Sequence, residues 1–334
     1  MPDLRLPDFR VPGIRRQLRN RSYLFALVLA VALLIVNIAL VPGFASPGAW
    51  SADLKVFAPL ALLAMASTPA VLSGGGGLDI SVGPLADVVS IVLIVVLLPT
   101  PLGTAALAIP ILLLLGAAVG VVNGLVVARL RYPPFVSTLC AFLVLYGVGL
   151  KLAPRTVNAP QGWTHQLAAS IGPVPGPLLL LLGPPLLWLV LGRTRYLRTL
   201  LAVGASDRAA FSAGVNVEAV RAIAYGLGGL FAAVAGIAVA TLAQSADPNL
   251  GLPFALVALA AVVLGGTPVG GGRGGLVGSV IGAGIIYLVQ NLLSALHVSA
   301  DWLPAAYGLL LLVGVVLGAL LTAPPRAPRT VQTT

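Results

Sequence analysis

Two acids and a run of glycines are where this sequence could do chemistry. Residues 73–84 read Ser-Gly-Gly-Gly-Gly-Leu-Asp-Ile-Ser-Val-Gly-Pro, which puts Asp79 and Ser81 just ahead of an apolar stretch. An acid at or near a lipid-facing segment is costly, so its presence points to a polar path or an ion site. The same two side chains could instead cap the free amides of the helix that follows. Asp87 lies one to two turns deeper, and no motif assigns it. A second glycine-rich segment, residues 265–275, holds Thr267, Pro268 and Arg273. Non-helical backbone at membrane depth survives only where protein or a water-filled cavity satisfies it, and such breaks form polar sites in transporters. Two tight turns at the membrane surface are the plainer reading. Gly76, Gly77, Gly83, Gly265, Gly266 and Gly271 are the candidate positions for a break or gate.

Other chemistries find no support. Both lysines, Lys55 and Lys151, follow leucine, so there is no G-x-x-x-x-G-K-[ST] phosphate loop and no ATP binding by that device. Neither G-x-S-x-G nor H-E-x-x-H occurs, and no nucleophile–base pair is evident. His165 and His297 fall in expected loops without paired cysteines or acids, so no metal site is expected. The single cysteine, Cys140, excludes an intramolecular disulfide and is expected as a small buried apolar residue.

The elements that must hold these residues are transmembrane helices. The chain of 334 residues is 59% hydrophobic and only 8% charged, with a mean hydropathy of +1.06. Soluble domains carry roughly 25% charged residues, so most of this surface faces lipid. The reading is all-α: a polytopic bundle of about ten spans with broken or re-entrant segments. The spans fall near 22–42, 56–72, 84–98, 104–128, 134–152, 178–192, 220–243, 253–268, 275–295 and 303–321, the third, sixth and eighth being short for a crossing. Residues 1–21, with six arginines, form a basic cytoplasmic tail able to rest on anionic lipid. Residues 22–322 form one membrane domain, and 323–334 a second cytoplasmic tail. With both termini inside, all basic residues but Lys55, Lys151 and Arg155 face the cytoplasm. The net charge of +10 therefore sets orientation and does not indicate nucleic acid.

Two further patterns concern packing and the cytoplasmic face. Gly120 and Gly124, and likewise Gly274, Gly278 and Gly282, recur every four residues, which lets helices approach closely. Between the sixth and seventh spans, Ser206 suits an N-cap, Asp207 the helix start and Gly214 the stop. A short helix of about two turns outside the membrane follows, either a docking surface or a surface helix with no partner.

Four segments resemble the permease subunits of ribose-type ABC importers, in the broad family that also holds branched-chain amino acid permeases. Residues 77–83 (GLDISVG) resemble G-I-D-L-S-V-G, and 134–139 (PFVSTL) resemble P-F-I-x-T-L. Residues 204–216 (GASDRAAFSAGVN) resemble G-x-N-x-x-A-A-x-x-x-G-I-N, and 263–275 resemble V-x-G-G-T-x-x-x-G-G-x-G. The resemblance implies a multi-pass protein of the bacterial inner membrane. Its partners are a second permease copy or paralogue, cytoplasmic ATP-binding subunits and an external solute-binding protein. ATP is used by the partner, and this chain binds no cofactor. Asp79, Ser81, Thr138 and Asn291 become candidates for the sugar path. Gly204, Ser206, Ala209, Ala210 and Gly214 become the element that couples to the ATPase. The rival readings are a branched-chain amino acid permease and a stand-alone ion-coupled carrier with Asp79 or Asp87 as its proton site.

Overall fold

The computed structural model describes residues 21–46, 48–171 and 174–322; of the tails read from sequence at 1–21 and 323–334, all but Arg21 lies outside them. Apolar residues surround most of the helices on every side, as expected for segments buried in protein or lipid. The helices are α1 (Arg21–Leu40), α2 (Trp50–Leu72), α3 (Val82–Ile91), α4 (Ala105–Ala128), α5 (Pro134–Leu152), α6 (Trp163–Ala169) and α7 (Gly176–Gly192). They continue with α8 (Arg195–Ala205), α9 (Asp207–Ser212), α10 (Val217–Ala243), α11 (Leu252–Leu264), α12 (Leu276–Ala295) and α13 (Leu303–Thr322). A π-helical turn, Val92–Leu97, extends α3. Among the described residues the strands are two-residue pairs: β1 (Val157–Asn158), β2 (Ser170–Ile171), β3 (Val174–Pro175) and β4 (Ser245–Ala246), with β1 antiparallel to β4 and β2 to β3.

α2 and α10 form the centre. In the most apolar stretch of each, 78% of residues are buried, against 22% in α4 and in α5. The glycine spacing of α4 serves this packing. A Cβ on Gly116 would meet the Gly229 carbonyl, and one on Gly120 the Tyr225 carbonyl, so α4 lies backbone-close to α10. Gly278 and Gly282 do the same for α12 against Gly265 and Ala261. Small residues are how helices associate where lipid supplies no hydrophobic drive between them.

Among the described residues, five helices are long and apolar enough to cross alone: α2, α4, α5, α10 and α12. α7 reaches that length only with α8, across an 89° bend. The apolar stretches Leu24–Leu40, Val82–Leu97, Leu252–Leu264 and Leu303–Val316 are shorter. The architecture is thus the expected all-α bundle with broken segments. Short third, sixth and eighth segments correspond to α3, α7 and α11.

Two expectations change. The segment read from sequence as cytoplasmic carries two helices where one was expected: α8 precedes α9, its Leu200 and Val203 buried and its Arg195 and Arg198 exposed. The Thr194 side chain starts α8 by accepting the Tyr196 N–H at 3.2 Å. Cys140 is exposed, not buried. It sits on α5, where an apolar sequence says nothing about which side turns inward.

Candidate functional site

Ser73 closes α2, its hydroxyl donating to the Ala70 carbonyl at 2.7 Å. Gly74, Gly75 and Gly76 then take φ of +70°, +64° and +73°. Three successive left-handed residues are accessible to glycine alone at low cost. They turn the chain into the irregular Leu78–Ser81 stretch that precedes α3. There the Asp79 carboxylate accepts from the Ser81 N–H at 2.9 Å and from the Ser81 hydroxyl at 2.6 Å. Asn123 of α4 donates its amide to Ser81 Oγ at 2.9 Å. The Thr138 hydroxyl of α5 lies 2.9 Å from the Pro134 carbonyl, 3.3 Å from the Leu78 carbonyl and 3.4 Å from the Ile80 N–H. Asp79, Ser81, Asn123 and Thr138 are all buried. Three of the four residues expected along a path therefore come together, and Asn123 joins them.

Asn291, the fourth, stands elsewhere. Its amide donates to Asn37 Oδ1 at 3.0 Å, and Asn37 donates to the Leu288 carbonyl at 3.1 Å, which ties α12 to α1. Neither Asn37 nor Asn123 was singled out from sequence. The available signal was a lone amide inside an otherwise apolar span, which demands a buried partner.

Asp87, which sequence left open, meets the start of α11. The Gly251 N–H donates to Asp87 Oδ2 at 2.6 Å. Gly83 and Gly251 sit so close that a Cβ on either would meet the other's carbonyl, at 2.5 Å and 2.6 Å. α3 with its π turn spans residues 82–97 and α11 has 13 residues. At about 1.5 Å per residue both fall short of a hydrocarbon core of about 30 Å. Two short helices thus begin side by side inside the bundle, each with a carboxylate at its amino end. A negative group there is favoured by the helix dipole.

A cleft of about 550 Å³ opens between α4 and α5. Its walls are mostly valine, alanine and leucine, with Asn123, Ser137, Tyr132 and Cys140 as its polar or reactive members. Asn123 links this cleft to Ser81 and through it to Asp79.

The other glycines and the coupling candidates gather at one end of the bundle. Gly266 and Gly271 have φ of +85° and +78° and shape the turn from α11 to α12. Ser206 caps α9 by accepting the Ala209 N–H at 3.3 Å. At the far end Gly214, with φ of +81°, donates to the Phe211 carbonyl at 2.9 Å while Val215 donates to that of Ala210 at 3.1 Å. That pair of bonds is the Schellman stop expected of a C-terminal glycine. Ala210 is buried, Ala209 is exposed, and Phe211 is 74% exposed. Arg221 of α10 donates to Asp207 at 3.4 Å. Among the described residues no cluster of His, Cys, Asp or Glu could hold a metal ion.

Comparison with known proteins gives the family. The family model described as branched-chain amino acid transport system / permease component matches residues 51–321, so the chain belongs to that family of multi-pass membrane permeases. It is 36% identical over 272 residues to the ribose import permease protein of Escherichia coli (strain K12), covering 77% of this chain and 81% of that one. It is 32% identical to the ribose import permease protein of Bacillus subtilis (strain 168), over 91% and 93% of the two chains. It is 30% identical to the fructose import permease protein of Bifidobacterium longum (strain NCC 2705), over 88% and 89%. No solved structure matches.

Proposed function

We propose that this chain is the membrane-spanning subunit of a binding-protein-dependent ABC importer for a sugar or sugar-like solute. Two permease subunits form the conduit in the bacterial inner membrane, with both termini cytoplasmic. Separate ATPases use ATP on the inner face, an external protein delivers the solute, and this chain binds no cofactor. The conduit alternates between outward- and inward-open states, which ATP and the loaded binding protein bias by binding them unequally.

The observation that carries this reading is α9. It is a capped helix of six residues outside the apolar bundle, offering the bare ring of Phe211 beside Arg208 and Ser212. Aromatic residues are enriched at protein interfaces, and an exposed ring on a polar helix suits docking. A neutral polar solute also suits the interior. The buried Asp79 and Asp87 carboxylates are both engaged by hydrogen bonds, while the α4–α5 cleft offers Asn123 and Ser137 in a mostly apolar wall.

Reconstitution with a cognate ATPase and binding protein tests the reading. Wild-type vesicles should take up D-ribose or D-fructose only when ATP is supplied, and Phe211→Asp should lower uptake at least tenfold by weakening ATPase binding. Full ATP-driven uptake by the variant would refute the docking role. Uptake without any ATPase, driven by a proton gradient, would favour the ion-coupled carrier.

A further inference from the structure

We propose that the hinge between α8 and α9 is seated in the bundle by a socket of glycines, main chain against main chain, so that its displacement reaches the Asp79 segment and the α11–α12 turn together. The inference rests on the transport reading above and says where the motion of α9 goes.

The socket joins three segments that are far apart in sequence. Gly204 lies at the end of α8, one residue before the Ala205–Ser206 corner. A Cβ on Gly204 would meet the Leu72 carbonyl at the end of α2 and, at 2.5 Å, the Gly272 nitrogen. A Cβ on Gly74 would lie 2.5 Å from the Gly204 carbonyl. One on Gly271 would lie 2.5 Å from Gly74 Cα, and one on Gly272 would lie 2.6 Å from the Ala205 nitrogen. The Gly272 N–H donates to the Leu72 carbonyl at 3.1 Å, which fastens two of the three segments directly. Each contact is main chain against main chain. No rotamer stands between the parts to absorb a shift, and close-packed backbone passes displacement on.

Arg221 adds a side-chain tie at the same place. Its guanidinium donates to Asp207 of α9 at 3.4 Å and fills the space a Cβ on Gly75 would need. α9 is thereby held at its first residue by α10 and at its hinge by the socket. From Gly74 the chain runs five residues to Asp79, and from Gly272 four to the start of α12. The glycines of both loops, read from sequence as breaks or surface turns, serve as the seat of α8 and α9. Gly204, Gly74 and Gly272 are positioning residues in this scheme.

Gly204→Ala is the informative change, because Gly204 lies outside the left-handed region and alanine there meets crowding without backbone strain. Gly270→Ala is the control: it lies in the same loop as Gly272 with no atom within 4 Å of an added Cβ. The full transporter, with its ATPase and binding protein, is followed by amide hydrogen exchange with and without the non-hydrolysable nucleotide AMP-PNP. In wild type and Gly270→Ala, exchange in residues 72–78, 204–206 and 270–274 should change together, by at least fivefold. In Gly204→Ala the response of residues 207–212 should persist while that of the two glycine loops falls to a third or less. Wild-type changes confined to residues 207–212, or a Gly204→Ala variant whose loops respond in full, would overturn the socket. The wild-type arm decides the matter even where Gly204→Ala does not fold. Absence of any nucleotide response in wild type would overturn the transport reading, and the inference with it.

Discussion

Replacement of Asp87 separates a structural acid from a proton carrier. Its carboxylate accepts the Gly251 N–H at 2.6 Å, both partners are buried, and the bond joins α3 to the first residue before α11. Asp87→Leu removes the acceptor and strands the amide of a buried helix start. A hydrogen bond to a charged group contributes about 1.5–3 kcal/mol, and a stranded buried donor costs about 1–3 kcal/mol. A loss near 2 kcal/mol corresponds to a fall in Tm of about 4–8 °C for a domain of a few hundred residues. Asp87→Asn keeps a carbonyl oxygen in the same place. It loses only the charge-assisted part of the bond, roughly half of its strength, so its penalty is about 1 kcal/mol. The expected order of Tm in detergent is wild type, then Asn, then Leu, with ATP-driven uptake by Asp87→Asn within about threefold of wild type. A carrier that loads its proton on Asp87 demands the reverse: Asp87→Asn inactive at unchanged Tm. That outcome, or an Asp87→Leu protein as stable as wild type, would refute the capping argument.

Two further outcomes follow from the packing and from the loop between α10 and α11. Gly120→Val drives a branched side chain into the Tyr225 carbonyl of α10; overpacking of this kind costs about 1–3 kcal/mol, read as a lower Tm, while Gly147→Val, with no atom within 4 Å of an added Cβ, should leave Tm unchanged. At the opposite end of α10, Asp247 accepts from Asn249 at 2.9 Å and Thr156 at 3.2 Å, and Tyr146 donates to Asn249 at 3.2 Å. The backbone bond from Asn249 holds the Asp247 carboxyl below its ordinary value of 3.8. A lowered pKa makes this clasp fully present above that pH and lost as pH falls through the depressed value. The NMR shift of the Asn249 amide proton, which Asp247 accepts, should therefore stay constant from about pH 7 to pH 5 and move below about pH 4, and the movement should be absent in Asp247→Asn.

Sequence patterning carried the architecture because lipid leaves few alternatives. An apolar run near 20 residues must be a helix to satisfy its backbone, so α2, α4, α5, α10 and α12 were legible directly. The shortness of α3, α7 and α11 was legible too, from the glycines and arginines that bound them. Caps were equally readable: Ser206 and Gly214 delimit α9 where their side-chain and backbone preferences place them. Contacts between distant segments were not. Nothing local says that Asn123 reaches Ser81, that Asn291 turns to Asn37, or that Asp87 holds Gly251, since each depends on which face of an apolar helix turns inward. Cys140 was misplaced for the same reason.

The glycines show the limit most sharply. Periodic glycines on α4 and α12 announced helix packing, because a four-residue repeat has only one geometric meaning on a helix. The aperiodic runs at 74–77 and 270–275 did not, because left-handed turns, close approaches and flexible breaks all ask for the same residue. Structure separates these uses one by one. Gly76 supplies a left-handed turn with no atom near an added Cβ, Gly204 supplies close approach alone, and Gly74, Gly271 and Gly272 supply both. A run that resembles a loose linker in sequence is therefore a tightly specified seat. Its tolerance to alanine should vary residue by residue in the order of those distances, not with the glycine content of the segment.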